Sequence, residues 1–281
     1  MIFVTDKGRL ANNIYQYGHL YAWGREHGRS TMSMRFAYKY PGFRIAHTRY
    51  HNAAMYLLGK LAAKLHVMPT VDFSDGQTDA KILFMEQHQH LLVTGWGARF
   101  HHLFLKYKEE IIQLFDFMPV VRQQVAQRLQ KSTTDSIKLG VHIRRGDYKT
   151  WMDGRFYYND EQFLCVIRQF VNLHPNKKID VYVCSNDPHL DRTYFCQQLP
   201  FVRFFFPNGT PTEDLCLLSE CDYIIGPLSS FTLVASMYHN TPLFWMMGKL
   251  SPLSLESFRP FDYQTLHFDE CFFDPQPSNT K

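Results

Sequence analysis

The amino-acid sequence predicts an α/β fold, with parallel strands whose sheet is covered by helices on both faces. Three observations carry this. The chain opens on a strand, a glycine loop and a helix in close succession. From Leu139 onward, short apolar runs alternate with helical periodicity. Between these regions the pattern changes at a polar cluster, Ser132 to Asp135. Strands that alternate with helices pair in parallel, because each crossover returns the chain to the same end of the sheet. The cluster sets a domain boundary near residue 132, with an N-terminal domain over 1–131 and a C-terminal domain over 132–281, the last helix or tail being free to return to the N-terminal domain.

In order, the first element is the apolar run Ile2 to Val4. A turn at Gly8 follows, then a helix in which Ile14, Tyr17, Leu20, Tyr21 and Gly24 recur at three- to four-residue spacing. Such a junction directs backbone N–H groups and the positive end of a helix toward one spot, where polar or anionic ligands are favoured. A tight turn using Gly8 for its backbone alone would read the same way. From about 50 to 130 the chain reads as helices around one strand-like island, Leu91 to Trp96. Leu103 to Phe117 has the pattern of an amphipathic helix, and Val120 to Lys131 continues with Arg122, Arg128 and Lys131 on a solvated face. In the C-terminal domain, strands are expected at Leu139–Ile143, Ile179–Cys184, Val202–Phe206, Tyr223–Ile225 and Thr241–Met247. Helices are expected over Glu161–Leu173 and Asp214–Glu220.

Composition narrows the classes. A chain of 281 residues, 45% of them hydrophobic, buries about three quarters of its unfolded surface, which excludes disorder and small disulfide scaffolds. The net charge of +4 comes from 30 basic and 26 acidic residues with no basic block, so nucleic-acid binding is unsupported. Phe (24), Tyr (16) and Trp (4) are abundant, as suits a large aromatic core or carbohydrate contact. The six cysteines include no CxxC pair, which fits a reducing compartment. The N-terminus reaches charged residues within seven positions, and no apolar run approaches ~18 residues, so neither a signal peptide nor a transmembrane segment is expected. A cytoplasmic protein is the expectation, and any membrane contact would be peripheral. The sequon Asn208, Gly209, Thr210 then reads only as a turn.

Three strings carry chemistry. HIRRGDY, His142 to Tyr148, follows the strand at Leu139. Ligands of open parallel sheets bind beyond the carboxyl ends of strands, so these side chains point at a crevice. Arg144 or Arg145 can hold a phosphate bidentately, with Asp147 pairing with the other arginine or fixing the turn; an Arg–Asp pair that merely fastens a loop has the same letters. The second string, Thr212 to Ser236, opens with a helix start capped by Thr212, with Glu213 and Asp214 at its positive end. It continues through a Gly226, Pro227 turn to Ser229, Ser230, Phe231 and Thr232, which enter the next helix. Hydroxyls and N–H groups there make a phosphate cradle, although ordinary capping also explains them. The third string, VYVCSND, ends a strand with Asn186 and Asp187. They stand where a carboxylate could accept from a nucleobase or ribose, or form an Asx turn before Pro188. One pocket with arginines, hydroxyls, helix N-termini and a carboxylate suits a nucleoside diphosphate. No Walker A string, complete GxGxxG or DxD occurs, so arginines in place of a cation would stabilise a departing diphosphate.

On these residues the chain resembles the bacterial α-1,2-fucosyltransferases of glycosyltransferase family 11. HIRRGDY matches the HxRRxD motif shared by fucosyltransferases of several linkages. GRLANNIYQY, Gly8 to Tyr17, resembles the family's GxLGNQxFQY start. TGWGARFHHLF, Thr94 to Phe104, resembles its GYFQSxKYF segment, and Glu213 to Phe231 resembles its third motif. The chain departs from the family pattern at Ala11, Asn13, Asn186, Leu228, Leu233 and Val234, and so reads as a divergent member.

The resemblance implies a GT-B fold, two Rossmann-like domains facing a cleft, with GDP-fucose on the C-terminal domain and a glycan acceptor, lipid-linked or free, on the N-terminal one. It implies inverting transfer of L-fucose, most simply to the 2-OH of a terminal galactose, with no cofactor and no metal, in surface-polysaccharide or O-antigen assembly on the cytoplasmic face of a membrane. Arg144 would carry leaving-group charge, with Arg145 and Asp147 ordering the loop. His142 and Asp187 would serve the guanosine side and Ser230, Phe231 and Thr232 the diphosphate side, with Asn186, Ser229 and Glu213 also binding the donor. Gly8, Arg9, Asn12 and Asn13 would approach fucose or the acceptor. Asp6, Asp147, His19 and His102 are the thinkable general bases. The alternatives are an α-1,6 or other linkage, or a degenerate GDP-sugar-binding protein.

Overall fold

The computed structural model describes residues 1–5, 7–129, 135–248 and 252–273. The chain divides into two compact units, Met1–Val121 and Arg122–Lys281. Most of the polar cluster that suggested a boundary near 132 lies outside the described residues.

The first unit holds four parallel strands, β1 (Ile2–Val4), β2 (Thr31–Ser33), β3 (Thr70–Asp72) and β4 (Leu91–Thr94), in the order β2-β1-β4-β3. Phe3 lies opposite Met32 on one side and Leu92 on the other. The strands β2 and β3 escape a periodicity reading because each has only three residues, and in β3 Val71 alone is buried. The helix Leu10–Glu26 is buried around most of its circumference, which is why its apolar stripe is broad in the sequence. The helix expected over Leu103–Phe117 is two, His101–Lys106 and Lys108–Leu114. They break at Tyr107, where Lys106 Nζ and the Tyr107 hydroxyl both reach Glu26, at 2.6 and 2.8 Å.

The second unit is a five-stranded parallel sheet of β5 (Ser136–Ile143), β6 (Lys178–Ser185), β7 (Arg203–Phe205), β8 (Tyr223–Pro227) and β9 (Leu243–Met246), in the order β7-β6-β5-β8-β9. Leu139, Val141 and Ile143 of β5 are fully buried, as are Phe163, Ile167 and Phe170 of the covering helix Asp160–Leu173. One charge is built into this sheet. Asp180 of β6 is fully buried, and its carboxylate accepts from Arg203 Nε and Nη2, both at 2.6 Å, and from the Ser136 hydroxyl at 2.5 Å. With these partners a buried carboxylate is tolerated; without them it would be strongly destabilising.

The helix expected to start at Thr212 spans Pro211–Ser219 and is capped by Thr210. Thr210 and Glu213 form a reciprocal capping box, and Pro211 takes the first turn, where a missing N–H costs nothing. The chain builds the sheet outward through β6 and β7, then crosses back to lay β8 and β9 on the other side of β5. The order therefore reverses between β5 and β8, and the crevice beyond their carboxyl ends is where such sheets bind ligands.

Candidate functional site

The loop after β5 carries the two arginines, and the fold treats them unequally. Arg145 is held by two carboxylates, Asp160 through Nη2 and Asp187 through Nη1 at 3.4 Å, and its side chain is 13% exposed. Its backbone is fixed as well. The Arg145 N–H donates to Asn186 Oδ1 at 2.7 Å, and Asn186 Nδ2 donates back to the Arg145 carbonyl at 3.1 Å. Asn186, expected to bind the donor, thus ties the end of β6 to the loop after β5, and Asp187, expected at the guanosine, divides its carboxylate between Arg145 and the His189 N–H. Arg144 lies over the Tyr148 ring and pairs with one carboxylate, that of the half-exposed Asp147, at 2.8 Å.

The loop after β5 is fastened to the loop after β8. The Tyr148 hydroxyl donates to the Leu228 carbonyl at 2.8 Å, and the His142 ring stacks on Phe231 with centroids 4.7 Å apart. Only glycine fits at 226 between them. A Cβ there would lie 2.8 Å from Thr232 Cγ2 and 3.1 Å from the His142 carbonyl oxygen. Burial, with a smaller contribution from Arg144, holds the His142 imidazole down to about 3, so it is neutral, and its Nδ1 has no hydrogen-bond partner among the described residues.

Ser229 caps the helix Ser230–Met237, accepting from the Phe231 N–H at 3.1 Å, and Ser230 is buried beside it. Thr232, expected at the diphosphate, is turned into the core instead. It is fully buried, donates to the Ser229 carbonyl and accepts from the Trp245 indole, both at 3.0 Å. Glu213, expected to bind the donor, spends one oxygen on the Thr210 N–H and the other on Arg128 at 3.0 Å.

A cavity of about 460 Å³ opens at the carboxyl ends of β6 and β7. Its walls include Ser185, Asn186, Asp187, Phe206 and Gly209, with Asp214 of the helix Pro211–Ser219 also facing it. Sequence reasoning assigned Asp214 only to a helix start. Burial pushes its carboxyl up to about 7, against the opposing pull of Arg128 and of a hydrogen bond with Cys184, and its Oδ1 has no partner among the described residues. The same burial, with Asp214 beside it, raises the Cys184 thiol well above its usual range. The signal was available: Asp214 stands three and four residues before Leu217 and Leu218, on the stripe that faces inward. That oxygen is buried at the cavity wall beside Gly209, an acceptor left without a donor.

In the first unit, Gly8 turns the chain with φ +88° and Arg9 stands exposed at the N-terminus of the helix Leu10–Glu26. The turn is clamped by Gln16, whose Nε2 donates to the carbonyls of Lys7 at 2.6 Å and Asn12 at 3.0 Å. Asn13, expected to face fucose or acceptor, is fully buried, with Nδ2 donating to the Tyr40 hydroxyl at 3.4 Å. Of the thinkable bases, Asp6 lies outside the described residues and His102 is exposed. His19 is buried, and burial together with Arg99 and His101 lowers its imidazole well below the usual range; its Nδ1 accepts from the Phe100 N–H at 3.1 Å.

This geometry is that of two α/β units with parallel sheets, the second with its charged loop where the strand order reverses, and comparison with known proteins specifies its class. Residues 1–241 match the model of glycosyl transferase family 11, and the chain belongs to that family. It is 24% identical over 251 residues to the galactoside 2-alpha-L-fucosyltransferase SEC1 of Bos taurus, an alignment covering 83% of this chain and 63% of that protein's length. The structure of POFUT1 in complex with GDP-fucose superposes with a TM-score of 0.59 at 11% identity, covering 85% of this chain and 94% of that one. NodZ alpha-1,6-fucosyltransferase soaked with GDP-fucose superposes with a TM-score of 0.52 at 13% identity, covering 87% and 94%. The fold, two α/β units each with a parallel sheet, is the GT-B type expected. Among the described residues, no helix is long and apolar enough to cross a membrane.

Proposed function

We propose that this protein transfers L-fucose from GDP-fucose to a glycan hydroxyl, with inversion and without a metal, the 2-OH of a terminal galactose being the first acceptor to try. The observation that carries the reading is the unequal arginine pair at the point where the strand order reverses. Arg145, locked between Asp160 and Asp187, holds the loop; Arg144, with Asp147 as its carboxylate partner, is the cation offered to a ligand. In the proposed step the acceptor oxygen forms a bond to C1 of fucose as the bond from C1 to the β-phosphate oxygen breaks. The electron pair leaves with GDP, and the hydroxyl proton passes to solvent or to a base. Attack from the face opposite the β-linked phosphate gives an α-fucoside. Arg144 meets the charge that grows on the phosphate, which is the work a cation would otherwise do. Asp214 supports guanine as the base, because a carboxyl at the wall of the neighbouring cavity with one oxygen lacking a donor suits the adjacent N–H donors of that ring's amide edge. The relative's printed activity supports the α-1,2 linkage.

The test is calorimetric titration with GDP, GDP-fucose, GDP-mannose and UDP-galactose in EDTA, followed by NMR analysis of the product formed on a galactoside. Selective binding of GDP and GDP-fucose, lost in Arg144→Ala, is expected. Absence of a guanine preference would overturn the donor, and a product joined elsewhere than at O2 would overturn the linkage.

A further inference from the structure

We propose that the helix Ala53–Lys64 and the turn after it seat the first unit on an anionic lipid bilayer. Leu57 (61% exposed), Leu58 (54%), Leu61 (54%), Leu65 (58%) and Val67 (71%) are all open to solvent. On helical spacing the four leucines form one stripe, and Lys60 and Lys64, both exposed, flank it. The stripe has nowhere else to go. The inner face of the helix is taken: Gly59 and Ala62 are buried, Met55, Tyr56 and Ala63 pack against the cluster of Phe3, Met32, Met34 and Leu92, and a Cβ on Gly59 would lie 2.7 Å from the Phe3 ring of β1. A helix whose inner face is already packed and whose outer face carries large aliphatics is built for a second apolar phase.

Charge selects that phase. From His27 to Val71 the chain has seven Lys and Arg residues and no Asp or Glu. An apolar stripe with basic flanks matches a bilayer whose headgroups are negative, where the leucines reach the acyl boundary and the lysines remain among phosphates. A second copy of the chain fits less well, since a symmetric contact would bring the same unbalanced lysines toward each other.

The test uses the whole protein with vesicles of phosphatidylcholine alone or with about 30 mol % phosphatidylglycerol, read by co-sedimentation over a salt series. Binding to the anionic vesicles, weakening as salt rises, is expected. Lys60→Ala/Lys64→Ala should lower it about 25-fold, about fivefold per lysine, the equivalent of ~1 kcal/mol each. Leu57→Gln/Leu61→Gln should lower it at least about tenfold while circular dichroism stays unchanged, because both side chains are outside the core. No partition into anionic vesicles at low salt, or partition that neither variant weakens, overturns the proposal. So does a concentration-dependent dimer in sedimentation velocity that Leu57→Gln abolishes, which would make this a self-association face. The lysine variant tests the proposal even if the leucine variant unfolds. GDP takes no part in the measurement, so its outcome is separate from that of the donor reading.

Discussion

The loops that follow β1 and β5 occupy equivalent positions, each leaving a strand next to the point where the order of its sheet reverses. They are made of different materials. The β1 loop is held by amides, with Gln16 clamping Lys7 and Asn12 and Asn13 sunk against Tyr40. The β5 loop has an amide clamp too, from Asn186 to the Arg145 backbone, and adds charge to it, with Arg145 between two carboxylates and Arg144 against a third. Amides fix a loop without adding charge to it; paired charges fix it and leave a field at its rim. The architecture is shared, and the chemistry lies in the loop that leaves each strand.

Four substitutions bear on that contrast. The largest effect is expected for Arg144→Ala, a fall in fucosyl turnover of about two to three decades, ~2.7–4 kcal/mol, with the fold intact. It should exceed the loss from any His→Ala variant, and near wild-type turnover would end the distinction between the arginines. Arg145→Ala should act on stability first, because it leaves Asp160 and Asp187 largely buried without their partner. A loss of about 3 kcal/mol in urea unfolding is expected, and an unchanged midpoint would mean the two arginines are equivalent.

Asp214→Asn should weaken GDP binding about 10- to 100-fold, as for the loss of a charged acceptor. The same variant should be the more stable protein in neutral solution. Because the folded Asp214 carboxyl titrates at about 7 and the ordinary value is 3.8, the unfolded chain releases its proton first, and wild-type stability falls as pH rises between those values. The advantage of Asp214→Asn in thermal unfolding should therefore grow from pH 4 to pH 7 and level off above; an advantage that shrinks over that range would contradict the burial. The smallest effect belongs to the amide-held loop. Asn13→Ala should cost ~1 kcal/mol in urea unfolding and leave GDP affinity within about twofold. A GDP affinity as damaged as that of Asp214→Asn would place both loops on the donor.

The second unit was the more legible in the sequence because two of its strands are long enough to show themselves. β5 and β6 run eight residues each, and their apolar character ends abruptly in HIRRGDY and SND. In the first unit, β2 and β3 are three residues long and owe their place to neighbours rather than to their own pattern. At the site, motif reading found the loop but not the division of labour. Nothing in the letters of RRGD distinguishes the arginine that Asp160, fifteen residues on, will immobilise. Thr232 shows the same limit, since a hydroxyl at a helix start looks like a ligand until Trp245 of the next strand takes it. Asp214 was legible as an inward-facing position, but not its altered acidity, which arises only once β6, with Cys184, and the loop after it pack against its helix.

The distribution of sulfur gives the molecule a built-in reporter. All six cysteines belong to the second unit, Cys165 and Cys196 exposed and the rest buried. Cys184, sealed next to Asp214, stays a protonated thiol that alkylating reagents cannot use until its surroundings open, whereas the two exposed thiols are accessible at once. Two fast modifications per chain would thus mark an intact second unit, and each later one would time its opening. The first unit, which has no thiol, would be silent throughout.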